Sequence, residues 1–279
     1  MIADRAQTLE RVYAAYHHPR YIHPDPLEVV RAYRYRADRE VAALICSSLA
    51  LGRVSSILTA CRRVLDAVGE PRLLGARTPA YLRTRLDGFV YRFFDSDELL
   101  RYLLAVGSVL RRYGSLEAAF AAGIEEESSR ESAGLLSLTA ALREGDDPPR
   151  SIILSDPRRG SAAKRLHLFL RWMVRSDSID PGGWDVITPG ELRVPVDVHL
   201  HRVARRLDMT ARMRPDARAG LEITSALKLI DAEDPVRFDF SLTRIGIHPN
   251  GTMEIIDAPE QRKKLEVAKN PTDRGRKKC

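Results

Sequence analysis

Val194-Pro195-Val196-Asp197-Val198-His199-Leu200-His201-Arg202-Val203-Ala204-Arg205-Arg206-Leu207 is the stretch on which the reading of this chain turns. Pro195 disfavours a helical Val194, so the chain arrives extended. Asp197 then stands where an N-cap belongs, and its carboxylate can accept the orphan N–H groups of a first turn. Val198 to Leu207 follows as a helix whose outer side carries Arg202, Arg205 and Arg206, a surface suited to phosphates. A cap alone would explain Asp197. A carboxylate kept ionised by a helix N-terminus is also suited to stabilising an oxocarbenium-like sugar or to moving a proton. His199 and His201, two residues apart, point to different sides of a helix. With no third ligand nearby, no metal site is expected.

Upstream, Ser161 to Ser176 reads as an amphipathic helix. Leu166, Phe169, Leu170, Met173 and Val174 form its apolar stripe, and Lys164, Leu168, Arg171 and Arg175 share another face. A solvated polar face accounts for these cations. So does a phosphate-contacting one, with Arg165 beside it, in which neighbouring cations favour the free lysine amine needed for attack. A lysine amine and a carboxylate facing one pocket are the minimum kit for displacing a base from a deoxyribose. This reading requires Lys164 and Asp197 to face the same cleft.

Helical periodicity runs through the rest of the chain. The expected helices cover Asp38 to Ala50, Val54 to Val68 closed by Gly69, Asp95 to Arg112, a short one after Gly114-Ser115, Asp216 to Ile230 and Pro235 to Ile245. Ile124 to Ser132 reads as an acidic, Ser-rich surface loop, Glu144 to Pro149 as a turn, and Asp177 to Arg193 as an irregular connection. No alternating strand series and no repeat is found, so the fold class is all-α. Residues 1–250 are expected to form one helical domain with two lobes around a cleft, and 251–279 a basic, disordered tail. Trp172 and Trp184 are the only tryptophans and the candidate base-pocket residues. Trp184, in a Gly-rich segment between Lys164 and Asp197, is the better placed to stack on an extruded base.

The net charge of +7 is unevenly spread. Pro157 to Arg175 holds six Lys/Arg and no acid, and Ala258 to Cys279 holds eight Lys/Arg against three acids, leaving the remainder net acidic. A polyanion met along one strip would suit this pattern, and a solvated end would equally explain the tail. Three cysteines exclude an iron–sulfur cluster held by four, and their spacing suggests neither metal nor disulfides. No apolar run approaches the roughly 20 residues of a membrane helix. The N-terminus lacks a secretory pattern, so a cytoplasmic, nucleoid-associated monomer is the expectation.

The Asp197 segment resembles the catalytic-aspartate segment of the helix-hairpin-helix/GPD superfamily of DNA glycosylases. Glu40-Val41-Ala42-Ala43-Leu44-Ile45-Cys46-Ser47-Ser48-Leu49 is similar to the first core helix of that fold, with Ala50-Leu51-Gly52 where a Gln often follows. In the bifunctional members a lysine forms a Schiff base, and Lys164 is the matching position. Pro157-Arg158-Arg159-Gly160-Ser161 replaces their Leu-Pro-Gly-Val-Gly hairpin. The lysine–aspartate spacing is closest to the archaeal 8-oxoguanine glycosylase branch. From about Pro24 to Ile247, including Asp234-Pro235-Val236-Arg237-Phe238-Asp239-Phe240, the chain also resembles a bacterial family known only as a domain of unknown function. The resemblance implies a glycosylase with lyase activity on an oxidised purine in duplex DNA, needing no cofactor. Lys164 and Asp197 would be catalytic, and Arg165, Arg171, Arg175, His199, Arg202 and Arg205 would lie against the nucleic acid. The alternative is a non-catalytic nucleic-acid-binding protein that keeps the fold, which the missing hairpin glycines and Gln favour.

Overall fold

A computed structural model describes residues 2–125, 129–150, 152–155, 160–247 and 253–256. Among them the helices are α1 (Ile2–Tyr16), α2 (Leu27–Arg31), α3 (Arg36–Leu49), α4 (Val54–Val68), α5 (Pro79–Arg85), α6 (Ser96–Tyr113), α7 (Leu116–Ala121), α8 (Arg130–Ala141), α9 (Lys164–Val174), α10 (Val198–Arg206), α11 (Ala217–Lys228) and α12 (Asp239–Ile247). One antiparallel hairpin, β1 (Val90–Tyr91) with β2 (Phe94–Asp95), interrupts the helical series. The fold is therefore mostly helical, as the periodicity predicts.

Local chemistry sets the element ends. α4 buries Ile57, Leu58, Cys61, Val64, Leu65 and Val68 at helical spacing and stops at Gly69, whose φ of +77° suits glycine. Asp95 caps α6 by accepting the Glu98 N–H. That helix ends at left-handed Gly114, and Ser115 caps α7. α3 is buried nearly all round, so its acids need partners. Glu40 accepts from Trp184 Nε1 and the Leu116 N–H, and Asp38 accepts from Arg72.

Two apolar cores result. The larger gathers α2 to α9 with Ile179, Trp184, Ile187 and Leu192. The smaller gathers Leu9, Val12 and Tyr16 of α1 with Val194, Val196, α10, α11, Phe238 and, from α12, Leu242 and Ile245, while Phe240 of α12 belongs to the larger. The chain thus begins in the second core, builds the first, and returns at Val194. Lys164 opens the last helix of the first core, and Asp197 opens the first helix after that return.

Three expectations change. The lysine helix begins at Lys164, not Ser161, because Ala163 takes φ +43°, a left-handed conformation that costs a non-glycine residue about 1–2 kcal/mol. Ser161 instead bridges to Asp216, and the Ala217 N–H reaches the Gly160 carbonyl. The expected 124–132 loop gives way to α8 at Arg130. Glu131 is buried there, accepting the Arg193 N–H and pairing with His167 and the Arg193 guanidinium. Residues 126–128 lie outside the described residues. The Pro235 to Ile245 helix opens as a 3₁₀ turn over Pro235–Phe238. The basic tail from 257 onward, and Pro157 to Arg159, also lie outside the described residues.

The two cores are joined by a buried ionic cluster. Arg171 donates to Asp180 at 2.9 and 3.1 Å and to Asp239 on α12. Arg175 pairs with Asp180, Asp177 and Asp234. His17, at the end of α1, lies 3.0 Å from Asp177. Burial opposes the charge on Arg171 and Arg175, but the surrounding aspartates outweigh it and raise both pKa values. Asp180, fully buried, serves both arginines. Asp180→Ala should cost about 3–5 kcal/mol in urea unfolding, because it leaves two guanidinium groups short of a counter-charge. A loss under about 1 kcal/mol would show that the cluster does not hold the cores together.

Candidate active site

The N-termini of α9 and α10 meet in a cleft of about 650 Å³. Its walls come from both cores: Pro24, Asp25, Ala50, Leu51, Gly52 and Ile57 on one side, and Pro195 to His199, Pro215, Asp239 and Arg244 on the other. Lys164 Nζ lies 3.1 Å from Asp197 Oδ2 across this junction. Side-chain exposures of 34% for Lys164 and 20% for Asp197 leave both reachable from the cleft.

Asp197 divides its two oxygens. Oδ1 accepts the N–H groups of His199 and Leu200, both at 2.9 Å, and so caps α10. Oδ2 faces Lys164. Burial alone would raise this carboxyl. The Lys164 charge, the Leu200 N–H, the Lys164 hydrogen bond and His199 outweigh burial, so its pKa falls below the ordinary value. The carboxylate is therefore ionised at neutral pH.

The cleft also holds polar groups that sequence reasoning did not single out. Asp239 is buried, pairs with Arg171 through Oδ2, and leaves Oδ1 without a partner. Burial raises its carboxyl, against the Arg171 charge. Arg244 pairs with Asp25 and leaves Nε unpartnered, and His199 Nδ1 is unpartnered as well. Asp239, Arg244 and His199 line a single cleft, although these three atoms are themselves buried. The available signal was an Asp inside the apolar run Val236-Arg237-Phe238-Asp239-Phe240.

Several expected site residues lie elsewhere. Arg171 and Arg175 are each 3% exposed, their guanidinium groups committed to the ionic cluster, so neither presents a phosphate-facing surface. Arg165 gives its donors to the carbonyls of Ser48 and Ile152, both at 2.6 Å. Burial lowers its pKa. The basic strip read from Pro157 to Arg175 is therefore folded inward over its described part. Trp172 and Trp184 do not stack in the cleft. Both are core residues, with Trp184 set edge-on to Phe169 at 5.1 Å and against Phe120 at 5.4 Å. Trp184 sits there because Nε1 finds Glu40 at 3.0 Å and the Gly182 and Trp184 N–H groups find the α9 carbonyls of Trp172 and Met173. His199 does line the cleft, Arg202 and Arg205 are exposed on α10, and His201 is buried. Among the described residues, no group of three or more His, Cys, Asp or Glu is placed to hold a metal ion. No helix among them is long and apolar enough to cross a membrane.

Asp197 offers a test that separates capping from charge. Asp197→Asn keeps a good capping side chain but loses the charge that pairs with Lys164, so it should lower the thermal midpoint less than Asp197→Ala, which also loses the cap, worth about 1 kcal/mol. A depressed carboxylate pKa stabilises the fold fully above the unfolded value of about 4, and that contribution is lost as pH falls through the lower folded value. Carboxyl carbon NMR of Asp197 should therefore show a midpoint below about 4. A midpoint at or above it would mean that the Lys164 pair does not form.

The chain belongs to the family described as a protein of unknown function, DUF2400, whose model matches residues 25–248. No curated protein matches it. No solved structure matches it.

Proposed function

We propose that this member of the family is a DNA base-excision glycosylase with lyase activity, acting on an oxidised purine such as 8-oxoguanine. The observation that carries this reading is the Lys164–Asp197 pair, 3.1 Å apart at the wall of a cleft between two cores. A nucleophilic amine and a fixed carboxylate within hydrogen-bond reach are the arrangement that covalent base displacement requires. A flipped nucleotide would enter the cleft, whose volume falls within the ~300–1,000 Å³ usual for small-molecule sites.

In this reading Asp197 holds the Lys164 ammonium and takes its proton as the amine attacks C1′. The bond from Nζ to C1′ forms while the C1′–N glycosidic bond breaks. The electron pair leaves with the base, which takes the proton held on Asp197. One proton of the C1′-bound ammonium then passes to O4′ as the C1′–O4′ bond breaks with its pair going to O4′, and the nitrogen lone pair so freed forms the iminium. Loss of a C2′ proton expels the 3′ phosphate. Asp197 also offsets the positive charge that develops on the sugar. The exposed Arg202 and Arg205 are the candidate phosphate contacts.

The rival reading, a binding protein without chemistry, is favoured by the replaced hairpin, and it predicts salt-dependent binding with no base release. Borohydride trapping separates the two. Wild-type protein should give a covalent adduct with duplex DNA containing 8-oxoguanine or an abasic site. Lys164→Ala should give none, and Asp197→Asn should slow adduct formation by roughly 10²–10⁴. No wild-type adduct across a panel of lesions would overturn the lyase assignment, and an adduct that survives Lys164→Ala would overturn the role of that lysine.

A further inference from the structure

A second cavity, of about 120 Å³, lies behind the start of α9. Ala163 lines it, whereas the next residue, Lys164, lines the cleft. Val194 lines it too, one residue before Pro195 enters the cleft wall. His167, 8% exposed, spends one ring nitrogen on Glu131, with Nδ1 2.9 Å from Oε1. Glu131 is buried and pairs with the Arg193 guanidinium, so it accepts and has no proton to give. Nδ1 therefore carries the hydrogen, and in the neutral ring Nε2 is left as an acceptor. Nε2 has no partner among the described residues and keeps accessible surface, and the cavity is the one that His167 lines.

Arg193 is placed alike. Its Nε lies 2.9 Å from Glu131, Nη2 donates to Ser132, and Nη1 has no partner among the described residues. An imidazole oriented by a carboxylate and a guanidinium thus share a cavity that Leu135, Leu136, Val194 and Ala217 make apolar elsewhere. Gly220 is an independent sign of room in its wall. It stands inside α11, where a glycine weakens a helix. A β-carbon there would meet only Val196 within 4 Å, at 3.8 Å, so packing does not demand the glycine.

We propose that this cavity binds a short-chain monocarboxylate. Its carboxyl group lies between His167 Nε2 and Arg193 Nη1, and its alkyl end lies on Leu135, Leu136 and Val194. A cavity of about 150 Å³ holds benzene, so the occupant has about four to six non-hydrogen atoms. A phosphate ion has no apolar part to offer these walls. Glu131 already neutralises Arg193, so the ligand's charge needs a proton held on Nε2 or shared with it. Glu131 and Arg193 are the charged groups that face His167 here, and the α11 lining, Ala217 and Gly220, adds none. The bound state holds one proton more than the free protein and free carboxylate. Affinity therefore rises as pH falls, about tenfold per pH unit where free His167 is neutral and the free acid ionised. This site stands whether or not Lys164 performs the chemistry proposed for it.

The test uses the full chain with butyrate, its neutral isostere butyramide, and inorganic phosphate, read by NMR of the imidazole nitrogens. Butyrate should bind and protonate His167 Nε2, and butyramide and phosphate should bind roughly tenfold or more weakly. Gly220→Leu fills the cavity without touching Glu131, His167 or Arg193, and should stay folded and lose butyrate binding. His167→Gln should weaken binding and remove its pH dependence. If that variant fails to fold, Gly220→Leu and the wild-type pH series still decide. Absence of butyrate binding by wild type would overturn the proposal, as would undiminished binding by Gly220→Leu. Butyramide binding as tightly as butyrate, phosphate binding more tightly, or an affinity unchanged with pH would overturn it too.

Discussion

The interaction on which the rest of the structure depends is the buried pairing of Arg171 and Arg175 with Asp180, Asp239, Asp234 and Asp177. The two cores already share an apolar seam, with Val236 and Phe240 in the larger and Phe238, Leu242 and Ile245 of the same stretch in the smaller, and the ion pairs add a directional link across it. A guanidinium has a rigid fork of donors, and Arg171 uses it to hold Asp180 of one core and Asp239 of the other. Removing a member leaves uncompensated charge in a dry setting, so the cluster tolerates one arrangement. That arrangement sets Asp239 in the wall of the cleft where the starts of α9 and α10 meet.

Within the cleft, Asp197 meets two demands at once. A cap needs an oxygen directed at the first-turn N–H groups, and a partner for Lys164 needs an oxygen directed outward. One carboxylate supplies both, and the first role fixes the geometry of the second. The same economy appears on the lysine side. Ala163 is left-handed and buried, so Lys164 is the first residue of α9 and projects from its end instead of from its flank. The strain at Ala163 is held in place by the Ser161–Asp216 bridge and by the Ala217 bond to Gly160. Both tie the approach to α9 to the start of α11.

Periodicity made the helices legible, because apolar spacing such as that of Ile57, Cys61, Val64 and Val68 is a local property of the chain. Asp197 was legible for the same reason, since a cap and its helix are neighbours in sequence. The arginines were not. Arg171 and Arg175 have helical spacing and charge that describe a solvated face equally well; Asp177 and Asp180 stand 2 to 9 residues on, but Asp234 and Asp239 lie 59 and 68 residues away. Nothing local to α9 distinguishes a buried cation from an exposed one. Trp184 failed in the same way: a Gly-rich flank suggests exposure, but its indole N–H is matched by Glu40, 144 residues earlier. Lys164 lay between these cases. Its place near the helix start was readable, while the reason it projects, a left-handed alanine, was not.

The inward turn of the basic strip alters where a polyanion could be met. With Arg165, Arg171 and Arg175 spent on carbonyls and aspartates, the face of α9 offers little field to phosphates. Exposed cations adjoin the cleft lining instead at Arg53, between Gly52 and Val54, and at Arg214, beside Pro215. Under the proposed function, phosphates would be met at these segment ends and on the outer side of α10, and not along the helix that carries Lys164.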